Sequence, residues 1–337
     1  MRIVALEEHF QVPDLIDRIG KDRALARGWP NGNAHPNASM RDALADTGER
    51  RLADMDEAGV SVQVLSAAGP GADLLPPHSG AALASEYNDR LKQIMNERPD
   101  RFVGFAHLPM TAPDSAADEL ERAVAELDFH GALVNGLTEN RFLDDPMFEP
   151  ILARAEALDI PLYLHPNIPP ATVRSAYYEG FPDDVRHSLA TAGFGWHAET
   201  AIHILRLVLS GTLDRHPKLK LIVGHMGEML PMMLDRFDHV FGEAVAKRSD
   251  RGVSETILDQ VWITTSGFFS LAPFTAAMMT FGPDRILFSV DYPFSPNKAG
   301  TEFLKRLPVS PADREKISHG NADKLLRLQD QASDLHR

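Results

Sequence analysis

The 337 residues predict an α/β chain folded as a (β/α)8 TIM barrel, on two observations. Short apolar runs rich in β-branched residues recur eight times, and segments of helical period separate them. Near-continuous apolar strands alternating with amphipathic helices indicate parallel strands covered on both faces, and eight such units in this length suit one barrel. A doubly wound open sheet is the alternative, but no Gly-rich phosphate turn follows the first strand.

The strands are expected in "IVALE" near the start, "VSVQVLSA" from Val60, "FVGFAHLP" from Phe102 and "GALVNG" from Gly131. The series continues with "IPLYLHP" from Ile160, "LKLIVGH" from Leu219, "VWITTSG" from Val261 and "RILFSVDYP" from Arg285. Helices are expected from Ser85 to Arg98 and in the runs beginning at Ser115, Met147 and Ala198. Three segments exceed ordinary loop length: Gln11 to Ser39, Gly69 to Gly80, and Pro166 to Gly195. Each follows the C-terminal end of a strand, which is the catalytic face of a barrel, so they are expected to roof a pocket. No internal repeat or linker divides the chain, and a single unit spanning 1–337 is expected.

Lys plus Arg number 34 against 48 Asp plus Glu, a net charge of −14 that disfavours nucleic acid as a partner. With no cysteine, any metal must sit on His, Asp or Glu, and the composition suits a reducing cytoplasm. No leader-like start and no apolar stretch of membrane-spanning length is visible, so a soluble, cytoplasmic protein is expected. Several of the 14 histidines (His35, His78, His187, His216, His336) stand in polar, loop-like surroundings.

The strand ends are the informative positions. Strand one ends in Glu7-Glu8-His9, strand three in His107, strand five in His165, strand six in His225 and strand eight in Asp291. Alternation places Glu7 and His9 on one face and Glu8 on the other. Two ligands from strand one, a third from His165 and a fourth from Asp291 would hold a divalent ion with positions open for substrate or water. His225 in "GHMGE" is a further ligand or a base, and Glu228 is within reach of the same site or of a helix N-terminus, where a first-turn carboxylate is favoured. Glu199 and His203, four apart on a helix, read as a surface or interface pair, and His107 as an outer partner of the site or a structural group. Met226, Met229, Met232 and Met233 read as helix packing.

From "VALEEHF" through "ERPDRFVGFAHLP", "FHGALVNG", "PLYLHP", "ETAIHILRL", "GHMGEMLPMMLDRFDH", "ITTSG" and "DRILFSVDYPF" to "GNADKLLRL", the chain resembles the amidohydrolase superfamily. Within it, the chain is similar to the metal-dependent nonoxidative decarboxylases of hydroxylated aromatic acids. The resemblance implies a metal-dependent barrel of the amidohydrolase type and ligation by Glu7, His9, His165 and Asp291. It further implies assistance to the chemistry from His225 and Glu228, and substrate binding by Arg236, in its own or a neighbouring subunit's pocket. Phe294 would form part of the aromatic wall, and Trp196 is counted with the substrate-binding residues. Hydrolytic amidohydrolases usually begin with His-x-His, whereas here Glu7 takes the first place, as in the decarboxylase branch.

The reaction so implied releases CO2 from a small aromatic acid bearing an ortho hydroxyl, with one Mn2+ or Zn2+ ion and with Asp291 protonating the ring carbon. Hydrolysis of a lactone or amide by a metal-activated water is the rival expectation. A homodimer or homotetramer, with no nucleic-acid or membrane partner, completes it.

Overall fold

The computed structural model describes residues 1–26, 38–69 and 71–328. The parts of the two long segments at 27–37 and at 70, and with them His35, lie outside the described residues, as does His336. Eight parallel strands run in chain order around the molecule: β1 (Val4–Phe10), β2 (Val62–Ala67), β3 (Phe102–Gly104, resumed at Ala106–His107), β4 (Ala132–Asn135), β5 (Pro161–His165), β6 (Lys220–Val223), β7 (Val261–Thr264) and β8 (Ile286–Leu287). Phe105 interrupts β3 but still donates its N–H to Leu65 O.

The ring closes between the last strand and the first. His9 N–H donates to Tyr292 O at 2.7 Å, and the Glu8 carboxylate accepts from Val290 N–H at 2.9 Å and Tyr292 N–H at 3.1 Å. Glu8 thus faces away from Glu7 and His9, as alternation requires, and clasps the two ends of the sheet together. One extra residue bulges β1 against β2 between Ala5 and Glu8, and Glu7 N–H donates to Ser289 Oγ at 2.7 Å. A bulge at a barrel rim re-aims the following side chain.

The principal helices are α1 (Glu49–Ala58), α2 (Pro77–Glu97), α3 (Pro113–Ala125), α4 (Glu149–Leu158), α5 (Gly195–Leu209), α6 (Leu234–Val245), α7 (Val253–Gln260), α8 (Leu271–Phe281), α9 (Asn297–Arg306) and α10 (Asn321–Leu326). One apolar layer lies between strands and helices, while Val4, Leu6, Val64, Phe105, Leu133, Tyr163, Ile222 and Leu287 fill the barrel interior. Ala322, Leu325 and Leu326 of α10 pack against that interior group. The lumen is therefore a packed core, and polar chemistry is left to the rim.

The long segments carry more structure than expected. Residues 11–26 include helices Pro13–Asp17 and Lys21–Ala26, and the segment after β5 holds Ala171–Tyr177 and Asp183–Ala190. The helix expected from Ser85 begins eight residues earlier, because Pro77 occupies its first turn, where a missing N–H costs nothing. His78 and His187 accordingly lie in helices rather than loops, and His216 is buried between Glu149 (2.8 Å) and Glu156 (3.2 Å). Among the described residues no helix is long and apolar enough to cross a membrane.

Candidate metal centre

Where β1, β5 and the turn after β8 reach the rim, their polar ends converge. His165 Nε2 lies 3.4 Å from Glu7 Oε1, His9 Nε2 lies 3.8 Å from the same oxygen, and Asp291 Oδ1 lies 3.3 Å from His9 Nε2. Glu7 Oε1 and His9 Nε2 are buried and have no hydrogen-bond partner. Buried polar atoms are rarely left so, and two that point at one another's neighbourhood mark the place of a shared ligand.

The two donors of β1 are held from behind. Tyr163 OH donates to Glu7 Oε2 and is itself bonded to Thr264 Oγ1 at 3.1 Å, which in turn meets Ser266 Oγ at 2.8 Å. Ser66 Oγ is hydrogen-bonded to His9 Nδ1 at 3.3 Å, leaving Nε2 for the centre. A Cβ on Gly224 would stand 2.8 Å from Glu7 Oε2 and 3.1 Å from Tyr163 OH, so only glycine fits behind the carboxylate. Arg51, fully buried, donates to His9 O at 2.6 Å and lies 4.7 Å above the Tyr292 ring, tying the ligand-bearing end of β1 to the residue after Asp291. Two imidazoles and two carboxylates so placed fit one divalent ion, Mn2+ or Zn2+.

A second cluster adjoins the first. After β6 the residues His225, Met226, Gly227, Glu228 and Met229 all have positive φ, between 49° and 83°. Four of them are not glycine, and such a run is strained unless its surroundings hold it. The turn puts Glu228 between two imidazoles: His225 Nδ1 donates to Oε1 at 2.6 Å and His197 Nδ1 to Oε2 at 2.5 Å. His225 Nε2 then faces the centre, 3.9 Å from both Glu7 Oε1 and Asp291 Oδ2.

Charges follow from this packing. Burial alone would raise Glu7, but the imidazoles of His225, His9 and His165 hold its carboxyl well below the usual carboxylate range. Burial opposes charge on His9 and His225 as well, yet Asp291 and Glu7 bring His9 up to about 9, and Glu228 and Glu7 bring His225 up to about 10. Burial pushes His165 down to about 4, keeping it the neutral imidazole that ligates metals, and pushes Asp291 upward. Glu8, desolvated behind the strand, rises to about 8.

The amidohydrolase family model matches residues 13–328. The chain belongs to the amidohydrolase family. Among the relatives of this amidohydrolase, the γ-resorcylate decarboxylase of a Rhizobium species is 37% identical, over 96% of this chain and 98% of its own. The crystal structure of 5-carboxyvanillate decarboxylase from Sphingomonas paucimobilis superposes with a TM-score of 0.88 at 30% identity, covering 97% of this chain and 99% of that one. That of a dihydroxybenzoic acid decarboxylase from a Polaromonas species, with bound manganese and the inhibitor 2-nitroresorcinol, gives 0.87 at 34% identity and 97% of both chains.

Of the residues expected from the amidohydrolase sequence, Glu7, His9, His165, Asp291, His225 and Glu228 come together. Trp196 and Phe294 border them, their rings 6.1 Å from His165 and 5.7 Å from His9. Arg236 stands apart, exposed on α6. Glu228 is not in the first turn of a helix, because the left-handed turn and a 3-10 turn (Leu230–Met232) intervene before α6. The methionines correct likewise: Met226 is buried in the turn, while Met232 and Met233 are exposed rather than helix packing.

Glu199 and His203 are not a surface pair. Both are buried on α5, and His203 Nε2 accepts from Leu143 N–H at 2.9 Å. His107 is structural, with Nε2 accepting from Ala72 N–H at 2.8 Å and its backbone held by Asn88. The residues that sequence reasoning missed are His197, Tyr163, Arg51 and Phe268, the last with its ring 5.2 Å from His197 and 5.8 Å from His225. Tyr163 carried a signal, since it lies two before His165 on the same face of β5.

Proposed function

We propose that the chain is a metal-dependent, nonoxidative decarboxylase of a small aromatic carboxylic acid with an ortho hydroxyl, in which Glu7, His9, His165 and Asp291 hold one divalent ion. The carrying observation is the convergence of Glu7, His9 and His165, with Asp291 3.3 Å from His9, around two partnerless buried atoms, Glu7 Oε1 and His9 Nε2.

Direct loss of CO2 from a benzoate would leave an in-plane aryl anion that the ring cannot delocalise. Held by Glu7, His9, His165 and Asp291, the ion would supply Lewis acidity toward the substrate's oxygens. His225, charged and held by Glu228, presents Nε2–H to the phenolate side and fixes the ring's orientation. Asp291, at the edge of the donor set, would exchange its ligand role for that of an acid, taking up a proton and giving it to the ring carbon that bears the carboxylate. That carbon becomes tetrahedral; the carbon–carboxylate bond then breaks, its electron pair restores aromaticity, and CO2 departs. Trp196, Phe294 and Phe268 serve as walls around the ring.

The chain works as an oligomer in this reading. Exposed Met232, Met233 and Val240 beside Arg236 support a subunit contact through α6, with Arg236 reaching a neighbour's pocket. A cytoplasmic location suits the cysteine-free composition.

A panel of ortho-hydroxybenzoates, offered to Mn2+-loaded enzyme, tests the reaction: CO2 release from at least one is expected. Turnover of lactones or amides with no CO2 from any acid refutes decarboxylation. His165→Ala is expected to lose the stoichiometric ion, measured by elemental analysis; full retention would remove His165 from the ligand set.

A further inference from the structure

Of the four proposed ligands, Asp291 alone lies outside the strands, in the turn after β8. Its φ is 72°, a left-handed backbone that a residue bearing a Cβ adopts only where its surroundings impose it. No glycine eases the turn, since its neighbours are Val290 and Tyr292. In this conformation Asp291 Oδ1 lies 3.3 Å from His9 Nε2, and Oδ2 lies 3.9 Å from His225 Nε2. A relaxed φ would swing the Cα–Cβ bond and carry the carboxylate off the centre.

The amides on either side of Asp291 both end on one planar group. Val290 N–H donates to Glu8 Oε1 at 2.9 Å and Tyr292 N–H to Glu8 Oε2 at 3.1 Å, while Ser289 Oγ donates to Oε1 at 3.3 Å. The two oxygens of a carboxylate are rigidly spaced, so they fix the separation and direction of the two amides, and the backbone between them follows. The carbonyls of the turn are held as well, Val290 O by Gly267 N–H at 3.2 Å and Asp291 O by Ser295 N–H at 2.9 Å. Those are bonds between neutral groups, whereas an amide bonded to a carboxylate is charge-assisted and roughly twice as strong. Glu8 also comes from the strand that bears Glu7 and His9. The aim of the fourth ligand is thereby tied to the position of the first two.

We infer that Glu8 is a positioning residue of the metal centre: by accepting from Val290 N–H and Tyr292 N–H, it imposes the left-handed turn that aims Asp291 at the ion and at the ring carbon. The inference rests on the proposed reading of Asp291 as ligand and acid.

Glu8→Gln keeps the size of the side chain but sets an NH2 group against one of the two amides. The test is a double-mutant cycle on Mn2+ affinity, measured by equilibrium dialysis with the wild type, Glu8→Gln, Asp291→Ala and the double variant. Glu8→Gln is expected to weaken Mn2+ binding about 10- to 100-fold, the usual effect of losing a ligand's outer partner. In the Asp291→Ala background it should weaken binding by no more than about 2-fold, because the group it acts through is gone. An unchanged affinity in Glu8→Gln overturns the inference. So does an equal fall in both backgrounds, the mark of general damage to β1. Where the Asp291→Ala proteins hold Mn2+ too weakly to titrate, the cycle is read with Zn2+, which such sites bind more tightly. An ester in place of the Tyr292 amide removes one of the two hydrogen bonds with every side chain intact, and it should also lower Mn2+ affinity. No change there overturns the inference, whether or not Glu8→Gln folds. A coupled cycle in a protein that releases no CO2 from any acid would refute decarboxylation and leave the positioning role standing; CO2 release with an additive cycle would do the reverse.

Discussion

The Tyr163 hydroxyl donates to Glu7 Oε2, so the other oxygen of the same carboxylate is turned toward His9 and His165. Tyr163 belongs to the packed interior of the barrel, which means that the orientation of a proposed ligand is set by core packing. Tyr163→Phe keeps that packing and removes the donor. Mn2+ affinity is expected to fall about 10- to 100-fold, the usual effect of losing a ligand's outer partner. Equilibrium dialysis or the electron paramagnetic resonance signal of free Mn2+ reads this directly, and an unchanged affinity would deny Tyr163 its orienting role.

Asp291→Asn removes the proposed proton donor while keeping an oxygen near the centre. In deuterated water the wild-type product is expected to carry deuterium at the vacated ring carbon. The variant should lose that incorporation along with turnover. Deuteration at the wild-type rate, seen by mass spectrometry, would assign the proton to another group.

His197 touches neither Glu7 nor the other proposed ligands in any contact described above, yet it shares Glu228 with His225. His197→Ala would free one oxygen of Glu228 and loosen the orientation of His225. A fall of about 10- to 100-fold in kcat with Mn2+ affinity preserved is expected. An unchanged kcat, or a fall in Mn2+ affinity in its place, would deny His197 this positioning role.

His203 gives a pH dependence remote from the centre. Burial lowers it from its ordinary value of 6.5 to about 3, and its neutral ring accepts from Leu143 N–H. Asp144, which favours its charge, and Arg206, which opposes it, are the charged groups that act on it. The unfolded chain therefore binds more protons than the folded one between pH 6.5 and 3. The stability due to this residue is complete above pH 6.5 and declines as the pH drops through that window. His203→Gln keeps an acceptor and should flatten the slope of thermal stability over pH 4 to 6.5; an unaltered slope would contradict it.

The proposed ligands were legible because each ends an apolar run, and a polar residue at the C-terminal end of a barrel strand has few reasons to be there. His197 was not, nor was the turn that joins it to Glu228. Helical spacing would assign Glu228 to a first turn, and only five consecutive left-handed residues bring it beneath His225 and His197. His203 looked superficial because a polar side chain on a helix usually is; its burial depends on Leu143, 60 residues away, offering an N–H. Gly80 resembled a loop signal but lies within α2, where a Cβ would stand 2.9 Å from Ala72 O. Such errors come from partners distant in sequence, which local patterns do not register.

The Glu8 clasp has a consequence for how the protein is made. Glu7 and His9 leave the ribosome about 280 residues before Val290, Asp291 and Tyr292. Until then the first strand lacks one neighbour, Glu8 lacks the amides it accepts from, and the proposed site lacks its fourth group. A chain released early, before the eighth strand, thus carries an open sheet and an incomplete set of donors. Capture of an ion by the proposed four groups would in this way be open only to molecules whose first and eighth strands have met.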